Sequence, residues 1–172
     1  MTLAFKAHLT LMAHYNQLMN ARLVALLAPV PTEQLTEPRG AFFGSILGTL
    51  NHLMVADLLW LNRMRPCPFG EILAPLDNLP KPSALTDILH HDMTTFATAR
   101  ADLDALIVTF IDALTDDDIA SPLTYRSIKG IAANKTLGLV LSHVFNHQTH
   151  HRGQITTLLS QMGLDIGVTD LA

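Results

Sequence analysis

Leu141-Ser142-His143-Val144-Phe145-Asn146-His147-Gln148-Thr149-His150-His151-Arg152-Gly153-Gln154 is the stretch that decides how this chain is read. It lacks proline, and His143, His147 and His151 step by four, so they share one face of a helix. Val140, Val144, Ile155 and Leu158 recur with the same period, which turns that face toward a core. A buried imidazole without a partner is costly, so several on one face need a common explanation. The helix starts near Thr136 and runs to Met162, with Gly163 as its C′ stop.

Three further segments carry the helical period. Phe5, His8, Met12, Tyr15, Met19, Leu23 and Leu26 mark the first, which ends at Pro29 and Pro31. The second runs from about Gly44 to Met64 and stops before Pro66. A proline-rich loop follows from Arg65 to Pro82. Ser83 is the expected N-cap of the third, whose apolar face is Leu85, Leu89, Phe96, Ala99, Leu103, Leu106 and Phe110, and which gives out at Asp116. Residues Ser121 to Lys129 form either a short hairpin or a plain connection. The expected fold is all-α: a four-helix bundle, largely antiparallel, with a long loop between helices two and three, spanning 1–172 as a single domain.

The composition agrees. Of 172 residues 49% are hydrophobic and 15% charged, against about 25% charged in an average soluble protein. That balance excludes a disordered chain. It also implies apolar surface covered by a second copy, hence a homodimer. The formal charge is −4 with no basic run, which argues against a nucleic-acid partner. The longest stretch free of charged residues, Gly40 to Ala56, falls short of the ~18–20 residues a membrane span needs, so no membrane partner is expected. The N-terminal residues lack a signal-peptide layout, and the lone Cys67 can form no internal disulfide; both fit a cytoplasmic protein.

Nine histidines are the anomaly. Two at i and i+4 reach one ion, but His143 and His151 lie roughly 12 Å apart along the axis, too far to share it. At most two ligands therefore come from this helix, and a third must cross the bundle. His8, His14, His52, His90 and His91 are candidates. His52 is the best placed, because Ser45, Gly48, Thr49 and Ala56 on its face are small and leave room for an ion and a bound molecule.

Asn146 to Ile155, followed by Leu158-Leu159 and Met162-Gly163, resembles the C-terminal signature of the DinB/YfiT-like metalloenzymes. Arg39-Gly40-Ala41-Phe42-Phe43-Gly44-Ser45-Ile46, Gly48-Thr49-Leu50-Asn51-His52-Leu53, Ala56-Asp57 and Trp60-Leu61 resemble that family's second-helix signature. Ala13-His14-Tyr15-Asn16 and Asn20-Ala21-Arg22-Leu23 resemble its opening helix. The resemblance implies a four-helix bundle, often dimeric, with a divalent metal on His52, His147 and His151. It is not a resemblance to the DNA polymerase of similar name. Leu18 and Met19 stand where family members commonly carry an aromatic and a small residue, so the pocket wall differs.

Three neutral imidazoles leave a divalent ion with open positions, a catalytic arrangement and not a closed structural one. All-nitrogen ligation suits a divalent transition metal, Zn or Ni first, then Fe, Co or Mn. Gln148 stands where an H-E-x-x-H protease would place its Glu, which counts against peptide hydrolysis. The resemblance extends to thiol-dependent S-transferases or isomerases of the wider superfamily, in which the metal activates a small-molecule thiol; the S-transferase type is the leading reading. Alternatives are a hydrolase using metal-bound hydroxide and a non-catalytic, stress-linked metal- or ligand-binding protein. Catalytic residues beyond the metal are unknown. Asn146 and Gln148 are expected at the surface, Arg152 in a structural pair, and Gly153 where a neighbour approaches closely. Tyr15 is either a pocket wall or a core residue, His143 a support for His147, and Asp57 too far round its helix to be a ligand.

Overall fold

The computed structural model describes residues 4–171. Four long helices form the frame: α1 (Phe5–Leu27), α3 (Ile46–Met64), α4 (Met93–Ala113) and α6 (Leu137–Gln161). Between them lie the short helices α2 (Thr32–Thr36) and α5 (Asp116–Ala120), and a 3-10 segment over Gly70–Asn78. A two-stranded antiparallel hairpin, β1 (Pro122–Arg126) and β2 (Ala132–Thr136), leads directly into α6. The bundle expected from sequence is present, and of the two readings of Ser121–Lys129 the hairpin is the one adopted.

Cross-helix contacts fix the directions. Lys6 reaches the carbonyl of Asp112 while Asn20 reaches Asp104, so α1 and α4 are antiparallel. His52 meets His147 and Trp60 meets His143, so α3 and α6 are antiparallel as well. Phe5 lies against Gly138 and Asn16 against Arg152, which makes α1 and α6 parallel. Phe96 packs beside Leu50 and Leu53, and Phe110 beside Leu61, which makes α3 and α4 parallel. A parallel pair needs a connection that returns the full length of the bundle. That requirement is what the long segment from Arg65 to Asp92 meets.

The helix ends follow from ordinary capping. The Ser45 hydroxyl accepts from the Gly48 N–H at 3.0 Å, and Thr136 caps α6 through the Leu139 N–H. The third long helix begins later than its apolar pattern suggests. Asp92, not Ser83, is its N-cap, accepting from the Thr95 N–H at 2.8 Å. Ser83 instead belongs to a turn closed by the Asp87 carboxylate, so Leu85 and Leu89 lie on a loop.

The core runs the length of the bundle, with Phe96, Phe110, Leu9, Leu23 and Met54 among its fully buried side chains. The chain after α6 folds back on α1: the Tyr15 hydroxyl donates to the Thr169 carbonyl at 2.5 Å and Arg22 donates to that of Val168 at 2.7 Å. Tyr15 is therefore a tether for this segment and not a pocket wall. No helix among the described residues is long and apolar enough to cross a membrane.

Gly153 departs from expectation. Open space surrounds the position a Cβ would take, so no neighbour requires a glycine there. Its backbone freedom is then a cost without a packing benefit. Gly153→Ala is expected to stabilise the protein by about 0.5–1 kcal/mol. A rise in the urea midpoint at unchanged m-value checks this; a fall would mean that the position is constrained after all.

Candidate metal centre

Three imidazoles converge where α3 and α6 cross. One ring nitrogen from each of His52, His147 and His151 lies within 4.8 Å of the other two. The ring centroids of His147 and His151, one turn apart on α6, are 4.4 Å apart, and His52 sits 5.0 and 4.6 Å from them. His52 and His151 are buried and His147 half-buried.

Two of the three rings, those of His52 and His151, are oriented by hydrogen bonds from outside the cluster. A carbonyl oxygen can only accept, so the 3.0 Å contact of His52 Nδ1 with the Leu85 carbonyl places the proton on Nδ1. His52 Nε2 then presents a bare lone pair to the cluster, 3.1 Å from His147 Nε2. His151 Nδ1 donates to Gln154 Oε1 at 2.8 Å, since an amide oxygen can only accept. Both are the outer hydrogen bonds that hold a metal-binding imidazole in the useful tautomer. Phe43 stacks on His52 at a centroid distance of 3.6 Å. The stacking depends on Gly48, where a Cβ would collide with the Phe43 carbonyl oxygen.

Burial lowers the pKa of all three imidazoles. His52 is lowered by desolvation, against the pull of its bond to Leu85. Desolvation also lowers His151, and with the neighbouring histidines it takes His147 down to about 3. The three rings are thus neutral near pH 7, the form that ligates a metal. The donor set fits one: nitrogens bound ~2.1 Å from a tetrahedral ion lie about 3.4 Å apart, close to the His52–His147 spacing. Among the described residues, no carboxylate belongs to the cluster.

The cluster opens onto a cavity of about 430 Å³ bordered by His52 and His147, by Trp60 and Arg63 of α3, and by Ile128 and Ile131 of the hairpin.

A model of the DinB family matches residues 5–172, almost the whole chain. The chain belongs to the DinB family. Over 157 residues it is 26% identical to Protein DinB of Bacillus subtilis (strain 168), a match covering 91% of this chain and 87% of that protein. No solved structure gives a significant match.

This DinB-family chain brings together the trio that the resemblance implied; His150 stands beside it, its ring 4.8 Å from that of His151, without sharing the cluster. His14 and His91 are exposed, and His90 is half-buried ahead of α4, with its backbone held by α3. His143 is exposed and stands edge-on to Trp60 at 5.2 Å on the cavity wall. It makes no hydrogen bond to His147, so it does not orient that ring; their centroids are 6.0 Å apart.

Gln148 corrects a second expectation. It is wholly buried, and its amide donates to Asp57 at 2.6 Å. Asp57 is also paired with Arg100 at 2.7 Å, and Arg100 with Asp104 at 2.9 Å, while Asp104 accepts from Asn20. Arg152, buried beside Tyr15, donates to Asn16 at 3.1 Å, in the structural role expected of it. The polar seam formed by these residues crosses all four long helices just behind the histidines. Asp57 spends its carboxylate on Arg100 and Gln148 and stays outside the trio, as its place round the helix implied.

Asn51, like Leu85 and Gln154, has a role that the sequence did not reveal. Fully buried beside His52, it accepts from the N–H groups of Leu89 and His90 and donates to the carbonyls of His90 and Leu47. It clamps the loop whose Leu85 carbonyl orients His52. An N-H dipeptide on an apolar helix carries no periodic signal for such a clamp. Asn51→Ala is expected to cost about 2 kcal/mol, because buried backbone groups lose their partners. It is also expected to weaken metal binding roughly 10–100-fold through the loosened His52 ring. Competition against a chromophoric chelator checks the second effect; unchanged affinity would show that the loop does not orient the ring.

Proposed function

We propose that His52, His147 and His151 hold a divalent transition metal, Zn or Ni foremost, and that the protein is a metal-dependent enzyme of thiol S-transferase type. The observation that carries this reading is the convergence of three neutral imidazoles, each a potential ligand, on an open cavity. A bound ion would supply a Lewis acid able to hold a small-molecule thiol as thiolate at neutral pH.

The chain's own residues divide the remaining tasks. Leu85 and Gln154 hold the rings of His52 and His151, and Phe43 covers the outer face of His52. Trp60, Ile128 and Ile131 give the cavity an apolar wall that excludes water from a bound molecule. Cys67 does not serve as the thiol. It lies beyond the far end of α3, and burial raises its pKa, which leaves it a weak nucleophile. Gln148 cannot replace a general-base Glu, since a carboxamide is not basic, and its amide is in any case committed to Asp57. These features favour transfer from an external thiol over hydrolysis.

The low charged fraction supports reading the protein as a homodimer, the lone Cys67 a cytoplasmic location, and the chain length a single domain. The test of the activity is spectroscopic and chemical together. Cobalt-loaded protein is expected to change its visible absorption on adding a small thiol, and metal-loaded protein to accelerate conjugation of that thiol to an electrophile. A fully loaded protein whose metal spectrum ignores thiols would overturn the transferase reading and favour a binding protein without catalysis.

A further inference from the structure

The cavity beside the histidines has a chemical asymmetry. Its border includes two cations, Arg63 from α3 and Lys129 from the hairpin tip, and no acidic side chain. Among the described residues, neither cation has a carboxylate within ion-pairing distance. Arg63 is the exception among the arginines. Arg22, Arg39, Arg65, Arg100, Arg126 and Arg152 each donate to a protein acceptor. Arg63 instead lays its guanidinium over the Trp60 ring, 4.4 Å from the centroid, with Tyr125 at 5.6 Å. The contact with the indole face anchors the group without using its N–H donors. A guanidinium preorganised in this way matches a planar oxyanion bidentately.

His52 and Arg63 are eleven residues apart on one helix, about 16 Å of rise, and Ala56, Leu59 and Trp60 line the cavity between them. One molecule that reaches both ends has a head at the histidines, an apolar middle and an anionic tail.

We infer that the cavity takes an elongated small molecule with an apolar body and a terminal carboxylate, and that Arg63 is the residue that recognises the carboxylate. The inference rests on the proposed function only in placing the other end of that molecule at the His cluster. Arg63 selects the substrate and takes no part in bond making. Lys129, on the opposite wall, adds positive potential that attracts the anion.

Matched probes separate the two ends. Cobalt-loaded protein is titrated with 8-mercaptooctanoate, 8-mercaptooctan-1-ol and octanoate, with calorimetry for affinity and visible absorption for the metal. The carboxylate thiol is expected to bind at least ~10-fold more tightly than the alcohol thiol, the scale of one charge-assisted hydrogen bond. In Arg63→Met, which keeps a side chain over Trp60, the gap is expected to close to within about twofold, and Arg63→Lys to keep part of it. Equal affinities in the wild type, or an undiminished gap in Arg63→Met, would overturn the inference. Octanoate binding that depends on Arg63 without any thiol response at the metal would uphold the inference and overturn the transferase reading. A thiol response blind to the carboxylate would do the reverse.

Discussion

Arg100→Met is expected to lower the stability of this protein by about 3–5 kcal/mol, the cost of stranding buried charge. Arg100, Asp57 and Asp104 are each at most 3% exposed, and both carboxylates rely on the same guanidinium, at 2.7 and 2.9 Å. Burial alone pushes the Asp57 and Asp104 carboxyls up, and Arg100 opposes that shift in both. Without the cation the two acids would have to take up protons or remain charged in a low-dielectric interior. For a chain of this length the change corresponds to a fall in Tm of roughly 6–20 °C. The sign of the pH effect follows. A variant whose folded carboxyls titrate above their unfolded values binds more protons when folded, so its stability declines further as pH rises through the neutral range. Removing the stranded charges as well, in Arg100→Met with Asp57→Asn and Asp104→Asn, is expected to recover part of the loss. Thermal melts of the single and triple variants at pH 6 and 8 test this. A single variant as stable as the wild type at both would mean that the seam is not a charge network.

That seam was invisible in the sequence, whereas the histidines were not. His143, His147 and His151 announce a helix face through their spacing, and apolar neighbours at the same period turn it inward. Spacing alone overstates how far inward. The buried stripe of α6 runs through Leu141, Val144, Gln148, Arg152 and Ile155, so the histidine row lies along its edge. His143 consequently reaches solvent, His147 is half-buried, and only His151 is buried. The same offset explains Gln148: a polar residue between ligand candidates resembles a surface residue until a carboxylate on another helix is found opposite it. Asp57, Arg100 and Gln148 are 43 and 91 positions apart in their pairings, beyond any local pattern.

The loops divide similarly. Ser83 and Asp92 are both acceptable caps by residue type, and the choice depends on Asp87, which closes the Ser83 turn, and on Asn51, which fastens Leu89 and His90 to α3. Neither effect leaves a trace in helical periodicity. The hairpin, by contrast, was one of two readings open from Thr124, Tyr125 and Ile128, and it proves important because its tip forms one wall of the cavity.

The second large effect concerns the metal. Three ligands to one ion act as a unit, and with one removed the remaining imidazoles form a site of much lower affinity. His52→Ala, His147→Ala and His151→Ala are each expected to lower bound metal sharply, whereas His14→Ala and His91→Ala, whose rings are exposed and outside the cluster, are not. The depressed pKa values mean that protons compete weakly for the site; with His147 at about 3, metal is expected to stay bound well below pH 6.5. The ion would tie α3 to α6, so chelation is expected to lower the Tm of the wild type, an effect that is lost in the three variants.

Metal content of the purified protein, measured by elemental analysis after exposure to one equivalent of zinc and removal of unbound ion, decides whether the three histidines form one site. Close to one ion per chain is expected in the wild type and little in His52→Ala, the variant that removes the ligand contributed across the bundle. Full metal content in a folded His52→Ala protein would contradict a shared site.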